Sequence, residues 1–231
     1  MINTSKIYKM RIVFRFVQDK REPNLVFNAV RKMILASGLP FEPAKVNKKW
    51  PRFSYGPALP KDICAWREYV DVYLVSFVPA DEVKRKLEEV KPPLLEIIEV
   101  QRVPYALPSV QNLVAAVQYR VKGNFASFTL EQTVENYFSA TRVEVVYRSA
   151  NGCTLVVDAR PYILQARMLS AEEMQLLLCC VNGKWFPPQE LVASYLGIEI
   201  PRGQEAFTVD GFSFIREGLY WKDSQGLLHL I

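Results

Sequence analysis

Residues able to do acid–base or anion-binding chemistry occur in two short segments of the chain. Glu68 and Asp71 stand near the start of a strand-like run, and Asp158 and Arg160 stand where one predicted strand ends and the next begins. The carboxylates could act as general acids or bases in a pocket that shifted their pKa values. Ordinary roles are favoured over catalysis, because Glu68 and Asp71 could pair with nearby cations, and Asp158 could accept backbone N–H bonds and pair with Arg160.

The rest of the sequence contains no complete catalytic or cofactor motif. His229 is the only histidine and has no neighbouring Cys, Ser or Asp in a catalytic pattern. Gly-rich phosphate loops, HExxH, CxxxCxxC and GxSxG are all missing. Two of the four cysteines, Cys179 and Cys180, lie in an apolar run that is typical of buried free thiols. The sequence therefore predicts no cofactor and no metal, and it favours a protein that is not an enzyme.

A segment that combines cations, aromatic rings and prolines, residues 45–60, is the main candidate for binding a partner. Its prolines and glycine fix the backbone and keep it out of a sheet. Cations beside flat aromatic faces suit a polyanion whose bases can stack on the rings. The alternative is a crossover loop whose aromatic side chains anchor in the core and whose lysines are solvated. The candidate binding residues of this segment are Lys45, Lys48, Lys49, Trp50, Arg52, Phe53 and Tyr55.

The positive charge of the chain is concentrated in its first quarter. Residues 1–60 hold 12 Lys and Arg against 3 Asp and Glu, a net charge of +9, whereas the remaining residues hold 17 and 21, a net charge of −4. Arg11 and Arg15 belong to this region and alternate with apolar residues, so we expect them on the outer face of the first strand. This asymmetry favours an anionic partner on one side of the molecule, although basic residues can also serve solubility alone.

The first half of the chain follows the order of one α+β fold. Alternating residues 9–18 predict a half-buried strand with a basic outer face, and a helix follows from Pro23 to Gly38. Residues 68–78 and 94–103 predict two further strands, separated by a helix that begins near residue 79. If residues 52–55 supply a short strand, the order is β-α-β-β-α-β, which is the split βαβ, ferredoxin-like pattern.

A second unit is predicted after the proline-bounded segment 104–108, which breaks both helix and strand. The predicted domains are residues 1–104 and 109–231, each ferredoxin-like with mainly antiparallel sheets. Strands at 142–148 and 154–158 form a hairpin turned at Asn151-Gly152, and a helix is predicted over 129–139. Residues 174–180 are strand-like, but the preceding Ser170–Glu173 resembles a capping box, so a helix is the alternative there. No apolar run is long enough to span a membrane, which predicts a soluble, cytoplasmic protein.

Several landmarks of the sequence occur in an order known from one bacterial family. They are Arg31 with 37–40 (SGLP), 51–60 (PRFSYGPALP), 68–72 (EYVDV), 157–163 (VDARPYI), Pro188 and 214–216 (FIR). Together they resemble the radical SAM-linked proteins, a family of unknown function. Its members are encoded beside, or fused to, cobalamin-type radical SAM proteins, and in some genomes they lie near RNA-processing genes. The resemblance therefore implies a radical SAM protein as partner and points to RNA, but it implies no established activity.

The chain departs from that family at two places in the basic region. Members usually carry a Ser-His-Leu-Asp run where this chain has 23–26 (PNLV), and a Gly-Phe-Asn-Pro run where it has 45–50 (KVNKKW). If the missing histidine and aspartate serve catalysis or metal binding in relatives, this chain lacks that capacity. The departures again favour a non-catalytic protein.

Three functions of different classes remain open from the sequence. The favoured one is a non-catalytic accessory protein that binds RNA of a tRNA-like kind and presents it to a radical SAM partner. The second is a docking module for that partner without nucleic-acid binding, anchored by Trp50, Phe53 and Tyr55. The third is a small enzyme of unknown reaction, for which Asp158, Arg160 and the earlier acids would have to line one pocket.

Overall fold

Short amphipathic helices and mostly antiparallel strands make up the protein, which is a mixed α+β structure. The computed structural model describes residues 7–16, 23–128, 132–148, 153–201 and 207–231, with no side chains described for 23–26. The chain divides into two units, Met1–Val114 and Ala115–Ile231. The segment 104–108, predicted as the junction, thus lies within the first unit. Among the described residues, no helix is both long and apolar enough to cross a membrane.

The first unit contains one four-stranded sheet and two helices that pack on it. Its elements are β1 (Tyr8–Phe16), α1 (Pro23–Ala36), β2 (Phe53–Tyr55), β3 (Ile63–Ala65), β4 (Glu68–Leu74), α2 (Ala80–Glu88), β5 (Leu95–Val103) and α3 (Val110–Leu113). The sheet has the order β2-β4-β1-β5, and each neighbouring pair is antiparallel. Alternate residues of β1 and β4 form the core with Val30, Met33 and Ile34 of α1 and Val83 and Leu87 of α2.

Strand β1 is buried on both faces, so the prediction of a half-buried strand with a basic outer face is wrong. Lys9 and Arg11 are only 1% and 4% exposed, and Val13 on the same face is fully buried. The segment after β5 covers this face, because the Lys9 ammonium donates to the carbonyls of Leu107 and Pro108. A cation can be buried only when such acceptors compensate the lost hydration. Of the basic residues in β1, Arg15 alone is exposed.

The second unit has two sheets. Its elements are β6 (Val114–Lys122), α4 (Val134–Ser139), β7 (Glu144–Arg148), β8 (Thr154–Asp158), β9 (Ile163–Ser170), β10 (Glu173–Cys179), α5 (Pro188–Tyr195), β11 (Ile200–Pro201), β12 (Ser213–Lys222) and β13 (Leu228–Leu230), with single 3-10 turns at Phe125–Ser127 and Arg160–Tyr162. Five strands pair in the order β13-β12-β6-β10-β9, and the others in the order β11-β7-β8. The β7–β8 hairpin thus belongs to a separate small sheet, and this unit departs from the split βαβ order.

The structure decides two local predictions for the second unit. The segment Glu173–Cys179 is a strand and not a helix, because Met174, Leu176 and Leu178 are buried while the residues between them are half-exposed, a period of two. The predicted helix over 129–139 begins later, at Val134, where the Thr133 hydroxyl accepts the N–H of Asn136. The predicted Asn-Gly turn and residues 129–131 lie outside the described residues.

Candidate functional site

Residues 45–50, here called the lysine loop, form a hydrogen-bonded turn that presents its side chains outward. The N–H of Ala44 donates to the Trp50 carbonyl at 2.8 Å, and the N–H of Trp50 donates to the Asn47 carbonyl at 2.9 Å. Asn47 also accepts the N–H of Lys49 through its side chain. The loop is therefore closed by its own backbone. Its exposed residues are Lys45, Val46, Lys48, Lys49 and Trp50.

One face of the Trp50 ring is covered by a cation from helix α1. The Arg31 guanidinium carbon lies 4.2 Å from the Trp50 ring centroid and 5.8 Å from that of Phe53. Arg31 Nε is buried and has no hydrogen-bond partner among the described residues. The Trp50 side chain remains 42% exposed. Arg31 thus belongs to this site, although the sequence analysis did not predict it as a binding residue and named it only as part of the family resemblance.

The aromatic residues after Trp50 anchor the loop instead of facing solvent. Phe53 and Tyr55 lie in the edge strand β2 and pack edge to face on each other, and Tyr55 also packs on Phe27 with ring centroids 4.4 Å apart. The Tyr55 hydroxyl donates to the Phe27 carbonyl at 3.2 Å. Burial raises the pKa of this hydroxyl well above its ordinary value. The alternative interpretation of core anchors describes these two residues, whereas Trp50 is exposed.

The charge of Arg52 is largely engaged by neighbouring groups. Its Nη1 donates to Glu42 at 2.7 Å and lies 3.4 Å from the Tyr105 hydroxyl. Its guanidinium also stacks over the Tyr73 ring at 4.0 Å. Arg52 therefore links β4 to the chain leading to β2. Its positive charge is less available to a ligand than the charges of the three lysines.

The two arginines predicted on β1 lie in opposite environments. Arg11 forms a bidentate pair with Asp71, at 2.8 Å from Nε and 3.1 Å from Nη2, and both side chains are buried. Arg15 is exposed and donates to Glu96 at 2.6 Å. Arg11 thus cannot reach a ligand at the surface, and Arg15 has an acidic neighbour. The predicted binding role of the remaining exposed residues stays a prediction.

The four polar candidates are divided between the two units. Glu68 and Asp71 are buried in β4 of the first, and Asp158 and Arg160 follow β8 in the second. Asp158 accepts the N–H groups of Arg160 and Val143 at 3.0 and 3.1 Å, which lowers its pKa. The Arg160 guanidinium donates to the Ile163 carbonyl at 2.6 Å, not to Asp158. In residues that the structure describes, no group of His, Cys, Asp and Glu could hold a metal ion.

A polar pair absent from the sequence prediction joins the two ends of the β12–β13 hairpin. His229 Nε2 is hydrogen-bonded to Asp223 at 2.7 Å, and its ring stacks on Trp221 with centroids 5.1 Å apart. Asp223 also accepts the N–H groups of Leu227 and Gln225. Asp223, the partner of His229, lies six residues earlier in the chain, across the hairpin turn. Predicting the hairpin from the sequence would have placed the two residues close together. The pair holds the turn closed.

Replacing His229 by alanine is expected to raise the pKa of Asp223, because the bond to His229 is the main cause of its lowering. Because the pKa of Asp223 is lower in the folded state, its carboxylate stabilises the hairpin at pH values above the ordinary Asp pKa of about 3.9. This contribution is lost as the pH falls through the folded-state value. An NMR titration of the Asp223 carboxyl carbon measures the change. His229→Gln, which keeps a donor, is the control, and an unchanged pKa in His229→Ala would contradict the assignment.

Comparison with known proteins places the chain among proteins that have no assigned activity. No curated protein matches it. Residues 29–186, more than half of the chain, match the family described as uncharacterized proteins conserved in bacteria (DUF2344). The matched region begins in α1 just before Arg31, includes the whole lysine loop and ends shortly before α5. The chain therefore belongs to this family of uncharacterized bacterial proteins.

Proposed function

We propose that the protein is a non-catalytic accessory protein that binds RNA through the lysine loop and presents it to a radical SAM partner. The observation that supports RNA binding is the exposure of Lys45, Lys48 and Lys49 around Trp50, with no carboxylate paired to any of them among the described residues. The partner rests on the resemblance to the radical SAM-linked proteins. The split βαβ order of β1, α1, β2, β4, α2 and β5 supports a ferredoxin-like assignment for the first unit.

The charge around the loop suits a ligand with several phosphates. Between Glu42 and Asp62 the sequence has no acidic residue, and Glu42 is already bonded to Arg52. By contrast, Arg85 and Lys86 of helix α2, and Lys91 just after it, each pair with a glutamate of the helix or of the residue that follows it. Three unpaired ammonium groups within five residues repel one another, and a polyanion relieves that repulsion while releasing its own counterions.

The central strands β1 and β4 of the first unit offer no open face on which RNA bases could stack. Many α+β modules bind single-stranded RNA on an open sheet whose aromatic residues stack with bases. Here every residue of β4 is buried, and six of the nine residues of β1 are buried in one continuous run. The face of these two strands is therefore closed to bases, whereas the lysine loop combines three exposed lysines with an exposed ring.

Binding of radiolabelled total tRNA to the purified protein, measured at a series of salt concentrations, tests the proposal. If the three lysines each contact a phosphate of unpaired RNA, the logarithm of the binding constant should fall with the logarithm of salt concentration with a slope of about −2. Absence of binding at low salt, or binding that salt does not weaken, would exclude this function.

The partner is tested separately by purifying the tagged protein from its native cells and identifying any radical SAM protein that co-purifies with it. We expect a complex that survives nuclease treatment of the lysate, since the partner contact is between proteins. Failure to recover such a complex, together with salt-dependent RNA binding, would leave an RNA-binding protein without this partner. Recovery of the complex with no RNA binding would instead favour the docking module.

A further inference from the structure

We infer that Arg31 and Trp50 form a stacking platform for one unpaired base, so that the protein selects single-stranded over double-stranded RNA. This inference rests on the proposed function, and it names the class of RNA that the lysine loop binds. It also assigns a role to Arg31, which extends from helix α1 and covers one face of the Trp50 ring.

The Trp50 ring is only partly covered by the protein. Arg31 covers the other face at 4.2 Å, and no aromatic ring of the described residues stacks on Trp50. Because one face is occupied and the side chain is still 42% exposed, the open area is the opposite face and the ring edge. A base that stacks there would complete a layer of guanidinium, indole and base, in which each contact is of a favourable kind.

The platform is held in place before any ligand arrives. Hydrogen bonds at both the N–H and the carbonyl of Trp50 fix its backbone in the closed loop. Arg31 extends from the rigid helix α1 and is itself held between the rings of Trp50 and Phe53. A ring that is already oriented loses little conformational entropy on binding, so more of the stacking energy appears as affinity.

The charge of Arg31 is also available to the ligand. No carboxylate among the described residues pairs with its guanidinium, and its Nε is without a hydrogen-bond partner. Two of the exposed lysines, Lys48 and Lys49, directly precede Trp50 in the chain. A base on Trp50 would therefore place its own phosphate, or the next one, near a cation of the lysine loop.

The preference for single strands follows from the accessibility of base faces. In an RNA duplex both faces of an internal base are covered by its stacked neighbours, so a tryptophan ring cannot reach them without unstacking. Phosphates are accessible in both forms, and the lysines alone would bind either. Stacking is tolerant of base identity because every base has an aromatic face. We therefore expect discrimination between strand states and little discrimination between sequences.

The test compares two fluorescent RNAs of roughly 12 nucleotides per strand, one unstructured and one a fully paired duplex. Wild-type protein should bind the single strand more tightly. Trp50→Ala should weaken that binding roughly tenfold and leave duplex binding unchanged, while Trp50→Phe, which keeps a ring, should retain most of the affinity. Phe77→Ala is the matched control, because Phe77 is another exposed ring with an arginine, Arg102, 5.7 Å from its centroid.

Two results would overturn the platform while leaving RNA binding intact. One is equal affinity of the wild-type protein for the two RNAs, and the other is single-strand affinity in Trp50→Ala equal to that of wild type. If Phe77→Ala weakens binding as much as Trp50→Ala, the effect is not specific to the platform and the inference also fails. Absence of binding to either RNA at low salt would instead refute the proposed function itself. A circular dichroism melt of each variant is the control for retention of the fold.

Discussion

Replacing Asp71 by alanine is expected to lower the free energy of unfolding by about 3–5 kcal/mol, because it leaves a buried cation without its partner. Asp71 is fully buried and accepts two N–H groups of Arg11 and the N–H of Val110 at 2.8 Å. The Arg11 side chain is itself buried, on the face of β1 that the segment with Leu107 and Pro108 covers. Urea unfolding followed by circular dichroism measures the loss.

A double variant separates the ion pair from the shape of the site. Replacing a buried pair by apolar residues of similar size is often neutral, so Arg11→Met combined with Asp71→Leu should be less destabilised than Asp71→Ala. The negative charge of Asp71 also opposes the effect of burial, which lowers the pKa of the neighbouring Lys9. Its removal should lower that pKa further. A loss of less than 1 kcal/mol in Asp71→Ala, on the order of an exposed pair, would contradict the buried ion pair.

The elements with a clear hydrophobic period were predictable from the sequence. The hairpin strands 144–148 and 154–158 lie within the predicted ranges, and helix α1 ends two residues before the predicted Gly38. Gly38 has a φ value of 64°, a backbone conformation that most other residues adopt only with strain. Such signals are local, since each depends on a few neighbouring residues. Local patterns therefore identified most of the strands and helices.

The position of a strand within its sheet could not be read in the same way. Lys9 and Arg11 alternate with apolar residues, which indicates an outer face when only β1 is considered. In the structure their partners are Asp71, on β4, and backbone carbonyls of residues 107 and 108. These groups lie about 60 and 100 residues further along the chain, so a pattern within β1 contains no information about them. Burial of β1 was thus a long-range property.

The same distinction divides the candidate site. The exposed lysines and Trp50 were predictable because a short loop rich in cations, with proline beside it, rarely enters a core. The pairing of Trp50 with Arg31 was not, since the loop returns to α1 across 19 residues. Phe53 and Tyr55 looked equivalent to Trp50 in sequence, but their position in β2 turns them toward Phe27 and the core. Residue type identified the loop, and topology decided which rings remained open.

Replacing Lys45, Lys48 and Lys49 together by alanine is expected to weaken RNA binding about 100-fold at 0.1 M salt, if each lysine contacts one phosphate. Each contact with unpaired RNA adds about 0.7 to the salt slope, so the slope should also become less steep by about 2. The stability of the fold should change little, because the three side chains are exposed and lack carboxylate partners among the described residues. The salt titration of tRNA binding described above measures both quantities.

The matched control removes the same charge from another surface of the first unit. Arg85, Lys86 and Lys91 lie on or just after α2 and pair with Glu89, Glu82 and Glu88. Their triple alanine variant has the same net charge as the loop variant, but its lost cations were already balanced by local acids. If affinity depended only on overall charge, the two variants would weaken binding equally. Binding that falls sharply in the loop variant and changes little in the α2 variant would place the phosphate contacts at residues 45–49, whereas equal losses would exclude a local site.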